Sequence, residues 1–362
     1  MHMVGFLKSL FGSKSKKVVE VRPFGASFEV PPGQTVLESA LNHDVPFPHN
    51  CTVGTCGSCK CRLVTGRVKA ITDFGYVLSK PELDAGYILA CSAVPQDELT
   101  VVEVESSGIN APAPESFKGR IVSTHSLTSD ILRVTLELDR PLKFVAGQYA
   151  NIYLPGQPVS PATVRCYSFA DAPEREGRKT VSFMIRKVPG GAFTEALFAS
   201  GMKDIELDVN APHGEFHLHT SAGPMVCIAG GSGLAPLLSL LEDARKKRVK
   251  RKCVLLFGAR TEADLYALEQ IRSIAQGWSG GFEFIPVLSA EPEGSTWSGK
   301  RGMVTDWVPG LQLDADWAEA ESYMCGPPVM IDAAIDKLTS LGVDLHNIHY
   351  DKFTDSSHGA KA

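Results

Sequence analysis

Between residues 117 and about 221 the chain alternates apolar and polar positions in short runs. Ile131-Leu132-Arg133-Val134-Thr135-Leu136-Glu137-Leu138, Tyr149-Ala150-Asn151-Ile152-Tyr153-Leu154 and Thr180-Val181-Ser182-Phe183-Met184-Ile185 all repeat with period two, between Pro/Gly turns. Successive strand side chains point to opposite faces, so this pattern predicts antiparallel strands closed into a small barrel. After residue 221 the period changes. Residues 225–229, 254–257, 282–288 and 322–324 are apolar runs, and helical spacing fills stretches between them, such as 234–248 and 264–275. Buried strands alternating with helices predict a parallel sheet with crossover helices.

The punctuation divides the chain further. Residues 1–16 form an extension, with Phe6, Leu7, Leu10 and Phe11 among Lys8, Lys14 and Lys16. It reads as a frayed terminus, with a weak membrane-surface helix as the alternative. Residues 17–104 are a cysteine-bearing unit, 105–116 a Ser/Gly/Ala/Pro linker, 117–221 the barrel, 222–353 the parallel-sheet unit and 354–362 a tail. At 362 residues two or three domains are expected. A net charge of −5 offers no basis for nucleic-acid binding. The long uncharged stretch 220–241 is interrupted by Pro224, Gly230, Gly231, Gly233 and Pro236, so it reads as strand, turn and helix rather than a membrane span.

Cysteine spacing changes the picture most. Cys51, Cys56 and Cys59 stand as C-x4-C-x2-C, and Cys91 follows after a long gap. This is the ligand spacing of a plant-type [2Fe–2S] cluster. A zinc site is the alternative, but three ligands on one loop with a distant fourth suit the cluster better than paired zinc ligands. Gly54 and Gly57 suit a loop folded tightly round an inorganic core. Cys61 reads as a strand residue beside the loop. Nine cysteines, an odd number, without a secretory signal point to a reducing, cytoplasmic setting rather than a disulfide framework.

Two further segments carry chemistry. Val226-Cys227-Ile228-Ala229 leads into Gly230-Gly231-Ser232-Gly233-Leu234-Ala235-Pro236 and then a helix, a phosphate-binding strand–turn–helix with Pro236 where a third glycine is usual. Tyr323-Met324-Cys325-Gly326-Pro327-Pro328 ends a later strand, and ligands of open parallel sheets sit beyond such ends. In the barrel, Arg165 and Tyr167 of Arg165-Cys166-Tyr167-Ser168 share a strand face, and Pro189-Gly190-Gly191-Ala192-Phe193-Thr194 opens a helix.

Taken in order, Arg165-x-Tyr167-Ser168, Gly231-x-Gly233-x-x-Pro236 and Cys325-Gly326-Pro327-Pro328 resemble the ferredoxin–NADP reductase superfamily. With the cysteine unit in front, residues 18–353 resemble the NADH-dependent reductase components of bacterial multicomponent oxygenases, such as the benzoate dioxygenase and soluble methane monooxygenase reductases. The resemblance implies a β-grasp ferredoxin, a six-stranded antiparallel barrel binding FAD and a Rossmann-like domain binding NADH. It implies that Arg165 meets a flavin phosphate, Tyr167 packs on the flavin and Ser168 lies near N5. Ile185, Arg186 and Val188 would line the FAD, and Gly191, Ala192, Phe193 and Thr194 would hold its pyrophosphate. Gly231, Gly233, Leu234 and Pro236 would form the nicotinamide dinucleotide loop, with Cys325, Gly326 and Pro327 near the nicotinamide. Phe353, in Tyr350-Asp351-Lys352-Phe353, resembles the C-terminal aromatic that covers the flavin. FAD rather than FMN follows from domain order. Arg260, after the second strand of the last domain, is a candidate for a 2′-phosphate, yet it has no partner arginine, so NADH is favoured over NADPH. The acceptor implied is a separate oxygenase or hydroxylase. A non-oxygenase acceptor such as a deoxysugar dehydratase, or a redox-sensing role, stays open.

Overall fold

The computed structural model describes residues 17–45, 47–49, 54, 57–104, 112–154 and 164–353. The extension 1–16, the tail 354–362, Cys51 and Cys56 lie outside the described residues. The chain forms two compact units, Met1–Ser106 and Ser107–Ala362.

The first unit contains β1 (Lys17–Arg22), β2 (Ala26–Val30), α1 (Val36–Asn42), β3 (Lys60–Thr65), β4 (Val68–Ala70), α2 (Lys80–Asp84), β5 (Tyr87–Leu89), β6 (Ala93–Pro95) and β7 (Leu99–Glu103). Its main sheet runs β2-β1-β7-β3-β5, with β1 and β7 parallel at the centre, and β4 pairs with β6 alone. Val19 and Val21 of β1 point to the core, where Val36, Leu37 and Ala40 of α1 meet them. Thr35 starts α1 by accepting the Glu38 N–H at 3.1 Å. A helix laid across a mixed sheet with a parallel central pair is the expected β-grasp arrangement.

The second unit opens with β8 (Glu115–Ser126), β9 (Ile131–Leu142), β10 (Tyr149–Tyr153), β11 (Arg165–Ser168), β12 (Arg178–Arg186), α3 (Ala192–Ser200) and β13 (Glu206–His213). These strands form one antiparallel sheet in the order β11-β10-β13-β8-β9-β12. The sheet curls until its two edges meet at a single bridge, Phe169 opposite Phe183, so the barrel is only partly closed. Ile121, Leu136, Leu138, Val181 and Phe183 fill its interior, as the period-two runs require.

Then come β14 (Met225–Gly230), α4 (Leu234–Lys246), β15 (Cys253–Ala259), α5 (Leu268–Gln276), β16 (Phe282–Leu288), β17 (Lys300–Arg301), β18 (Glu321–Gly326), α6 (Pro328–Ser340) and β19 (Ile348–Lys352). They build an all-parallel sheet in the order β17-β16-β15-β14-β18-β19. Leu237, Leu241 and Ile274 of α4 and α5 pack on one face, together with Ile131, Ala170 and Met184 of the curled sheet. Ile331, Ile335 and Leu338 of α6 cover the other face. The curled sheet is therefore welded to the α4 side. Ser239 of α4 adds a 2.6 Å hydrogen bond to the Asp171 carbonyl.

One helix starts later than its spacing predicts. The Thr261 N–H and hydroxyl both donate to Asp264 Oδ2 at 2.9 Å, closing a separate 3-10 turn. Ala267 then takes a positive φ of 56°, so α5 begins only at Leu268. No helix among the described residues is long and apolar enough to cross a membrane.

Candidate functional site

In the first unit, two of the predicted cluster ligands come together. Cys59 immediately precedes β3, and Cys91 lies in the short turn Ala90–Ser92 after β5. Both are buried. The Cys91 N–H points at Cys59 Sγ, 3.4 Å away. A backbone donor aimed at a thiolate is one way a protein tunes an iron–sulfur centre. The two glycines of the loop are set by space as well as backbone angle. Gly54 has φ +80°, and a Cβ there would stand 2.7 Å from both Ser92 Oγ and Thr72 Oγ1. Gly57 has φ +76°, with Val77 at 3.2 Å. Cys61 sits inside β3 and is fully buried. Burial first, and then Cys59, push its thiol well above the usual range, which suits a core residue and not a ligand. The described sulfurs and their donor fit a cluster.

In the curled sheet, Arg165, Tyr167 and Ser168 lie on β11, opposite Ile152, Ala150 and Tyr149 of β10. Tyr167 packs between Phe183 and Phe193, with ring centroids 6.4 and 5.8 Å away, and burial pushes its phenol up. Ser168 is buried. Ile185 faces the core, whereas Arg186, the last residue of β12, is exposed. At the start of α3, Gly191 takes the cap position without a side-chain cap, leaving the first N–H groups open to an anion. Phe193 points into the core beneath them. The Thr194 hydroxyl is occupied locally, bonded to the Val188 N–H at 3.1 Å and to the Gly191 carbonyl at 3.2 Å. Thr194 thus staples the Val188–Gly191 turn, and the open groups are backbone. This edge fits a flavin with its phosphates at α3.

At the parallel sheet, the two loop glycines do different work. A Cβ on Gly233 would fall 2.2 Å from the Cys325 carbonyl, so glycine there lets the loop press against the end of β18. Gly231 has φ +55°, and the nearest atom to an added Cβ is Arg186 Nη1 at 3.9 Å. Gly231 therefore borders open space. Leu234 and Pro236 are buried beneath the loop as part of the core.

That open space is a cavity of about 250 Å³. Gly230, Gly231, Gly258, Arg260 and Pro327 line it from the C-terminal ends of the parallel strands, and Asp130, Ile131 and Arg186 from the curled sheet. Arg186, expected against the flavin, thus also walls this cavity. Asp130 Oδ2 binds Arg186 Nε at 3.1 Å and Arg260 Nη2 at 3.2 Å. A cavity at strand C-termini, with glycine backbone and two guanidiniums, fits a dinucleotide phosphate.

Cys325 is fully buried near the end of β18, opposite Asp351 of β19. Burial and then Asp351 push its thiol well up. Burial also raises the Asp351 carboxyl to about 7. Phe353, partly buried, packs against the core shared by the parallel sheet and the curled sheet, and its N–H donates to the Gly326 carbonyl at 2.8 Å. Lys352, buried, pairs with Asp332 of α6 at 2.8 Å and pins the end of β19. Asp130, Tyr266 and Asp351 are site features the motifs did not single out. Only Asp351 had a signal, its place beside Phe353.

Comparison with known proteins identifies the three domains. Residues 19–96 match a 2Fe-2S iron-sulfur cluster binding domain, 118–218 an oxidoreductase FAD-binding domain and 227–336 an oxidoreductase NAD-binding domain. The chain is 39% identical over 347 residues to the xylene/toluene monooxygenase electron transfer component of Pseudomonas putida, covering 96% of each. It is 32% identical to the ferredoxin–NAD(P)(+) reductase component of the naphthalene 1,2-dioxygenase/salicylate 5-hydroxylase systems of a Ralstonia species, covering 93% of this chain and 98% of the relative. The crystal structure of an Amycolatopsis cytochrome P450 reductase superposes with a TM-score of 0.69 at 32% identity, over 94% of this chain and 99% of the other. The chain belongs to the family of electron-transfer reductase components of oxygenase systems that combine [2Fe–2S], FAD and NAD domains.

Proposed function

We propose that this protein oxidises NADH and delivers single electrons to a separate terminal oxygenase or hydroxylase. The observation that carries the reading is the shared cavity: the curled sheet and the nucleotide sheet wall one space, so a dinucleotide held at Gly231 lies against the flavin side. Bound FAD would supply the conversion between the electron pair of a hydride and the single electrons that a [2Fe–2S] cluster carries.

The chain's own residues bind, orient and shield. Cys51, Cys56, Cys59 and Cys91 hold the cluster. Arg165 and the open N–H groups at the start of α3 take the flavin phosphates, and Tyr167 and Ser168 flank its ring. Gly231 and Arg186 take the dinucleotide phosphates. Cys325 and Asp351 sit beside the nicotinamide, and Phe353 covers the flavin until the nicotinamide replaces it. NADH is the donor because Arg260 is the single arginine of its loop, and the other guanidinium at the cavity, Arg186, is assigned to the dinucleotide phosphates. The oxygenase acceptor is supported by the relatives, which serve monooxygenase and dioxygenase systems.

The test is a visible spectrum of the purified protein with iron and flavin assays. Anaerobic NADH should bleach both chromophores. With an oxygenase added, oxygen should enter the product only when this protein and NADH are both present. Colourless protein without iron or flavin, after reconstitution under anaerobic conditions, would end the reading.

A further inference from the structure

Asp130 lies in the turn between β8 and β9, and one of its oxygens serves two cations from different parts of the fold. Arg186 ends β12, Arg260 follows β15, and both reach Oδ2, at 3.1 and 3.2 Å. The carboxylate is not free to swing. Oδ1 accepts the Thr128 hydroxyl at 2.9 Å, the Asp130 N–H donates to that same hydroxyl at 3.2 Å, and the Asp130 carbonyl accepts the Lys187 N–H at 2.8 Å. Asp264 Oδ1 stands 3.7 Å from Arg260 as well. The charged side chains lining the cavity among the described residues are therefore two cations and two anions.

This position has chemical meaning. The end of the second strand of a nucleotide sheet reads the adenosine ribose, where an acid suits a 2′-hydroxyl and an arginine suits a 2′-phosphate. Arg260 alone would favour the phosphate. With Asp130 and Asp264 against it, its charge is offset, and an incoming dianion would face carboxylates as well as guanidinium. We infer that Asp130, a residue of the flavin sheet, determines nucleotide specificity by holding Arg260 in a charge-balanced cluster with Arg186 and Asp264 that disfavours a 2′-phosphate. The inference rests on the proposal that this cavity takes the donor dinucleotide.

Asp130→Asn keeps the size of the side chain and its bond to Thr128 but removes the charge. Purified holoprotein is titrated with 2′,5′-ADP and with 5′-AMP, and kcat/KM is measured with NADPH and NADH. The variant should bind 2′,5′-ADP roughly ten-fold more tightly, with 5′-AMP changed less than about two-fold. Its NADPH-to-NADH ratio of kcat/KM should rise in step, and adding Arg260→Ala should erase both gains. Where Asp130→Asn loses its flavin, Asp130→Ser removes the same charge and makes the same test. Unchanged 2′,5′-ADP binding, or a gain that survives Arg260→Ala, overturns the assignment to Asp130. Wild-type flavin that neither nucleotide reduces would overturn the broader proposal instead.

Discussion

The phenol of Tyr266 donates a hydrogen bond to the carbonyl of Gly231 across 2.7 Å. Gly231 is the loop residue that borders the cavity proposed for the dinucleotide, and Tyr266 is buried. Burial pushes the phenol up, so it stays protonated and donates throughout the working range. The bond fixes the peptide that follows Gly231, in the turn that leads into α4. Tyr266→Phe removes it and leaves a carbonyl short of its partner, a loss of about 1 kcal/mol. Ground state and transition state both use the loop, so the cost should fall on binding. KM for NADH should rise about five-fold with kcat nearly constant, read from steady-state ferricyanide reduction. A fall in kcat at unchanged KM would show that the bond serves the chemistry instead.

The two loop glycines should separate in the same kind of experiment. Gly231→Ala meets strain from the positive φ, about 1 kcal/mol, but has open space for its methyl group. It should fold, with weakened nucleotide binding. Gly233→Ala places a methyl group 2.2 Å from the Cys325 carbonyl, which must move. That variant should lose several °C of Tm and disturb the end of β18. Thermal melting beside NADH titration tells them apart.

Much of this frame is legible in the sequence, for a physical reason. The run over β9 alternates because one sheet face is buried, whereas β14, β15 and β18 read as continuous apolar runs because both faces are covered; β10 and the middle of β12 keep alternating polarity although both of their faces are buried. Hydrophobic spacing starts α5 too early, because the Thr261–Asp264 turn and the positive φ of Ala267 leave that spacing untouched. Asp130 gave no signal at all. Its partners Arg186 and Arg260 lie 56 and 130 residues away, and only the docking of the two sheets brings them together.

Cys59 and Cys91 stand 32 residues apart, yet the Cys91 N–H reaches the Cys59 sulfur. Cys91→Ser should lower bound iron and the visible bands of the cluster. It should cut cytochrome c reduction roughly ten-fold or more, because that is the one-electron exit, while ferricyanide reduction, fed by the flavin, stays within about two-fold. Cytochrome c reduction at the wild-type rate in iron-depleted variant would place the exit at the flavin.

Asp351 predicts a particular dependence on pH. Burial raises its carboxyl to about 7, whereas in the unfolded chain it titrates near 3.9. Between those values the folded protein holds a proton that the unfolded chain has released. Stability from this group is therefore greatest at low pH and declines as pH rises toward 7, above which the full penalty applies. Asp351→Asn removes the penalty. Its Tm should match the wild type near pH 4, exceed it increasingly up to pH 7, and keep a constant lead above that. A variant less stable than the wild type at pH 8 would show that the buried charge is compensated.

His219 runs in the opposite direction. Its ring stacks on His349 with centroids 3.8 Å apart and 9° between planes, and His217 stacks on it at 4.2 Å. Burial first, then the charges His349 and His217 would carry, lower its imidazole from 6.5 to about 4. Nearby, His349 binds Glu321 at 2.9 Å, and the Tyr323 hydroxyl donates to the same carboxylate oxygen at 2.9 Å while accepting the backbone N–H of His219 at 3.1 Å. Burial opposes ionisation of Glu321, but those two donors hold its carboxyl below the usual range. The stack therefore favours a neutral His219 beside an ionised Glu321. Because the folded value lies below the unfolded one, this stability is complete above pH 6.5 and is lost as pH falls toward 4. His219→Phe keeps a flat ring in the stack and removes the titration. Its melting temperature should fall less steeply than that of the wild type between pH 6.5 and 4, with the two curves parallel above pH 7. Equal slopes in the acid range would assign the acid sensitivity to other groups.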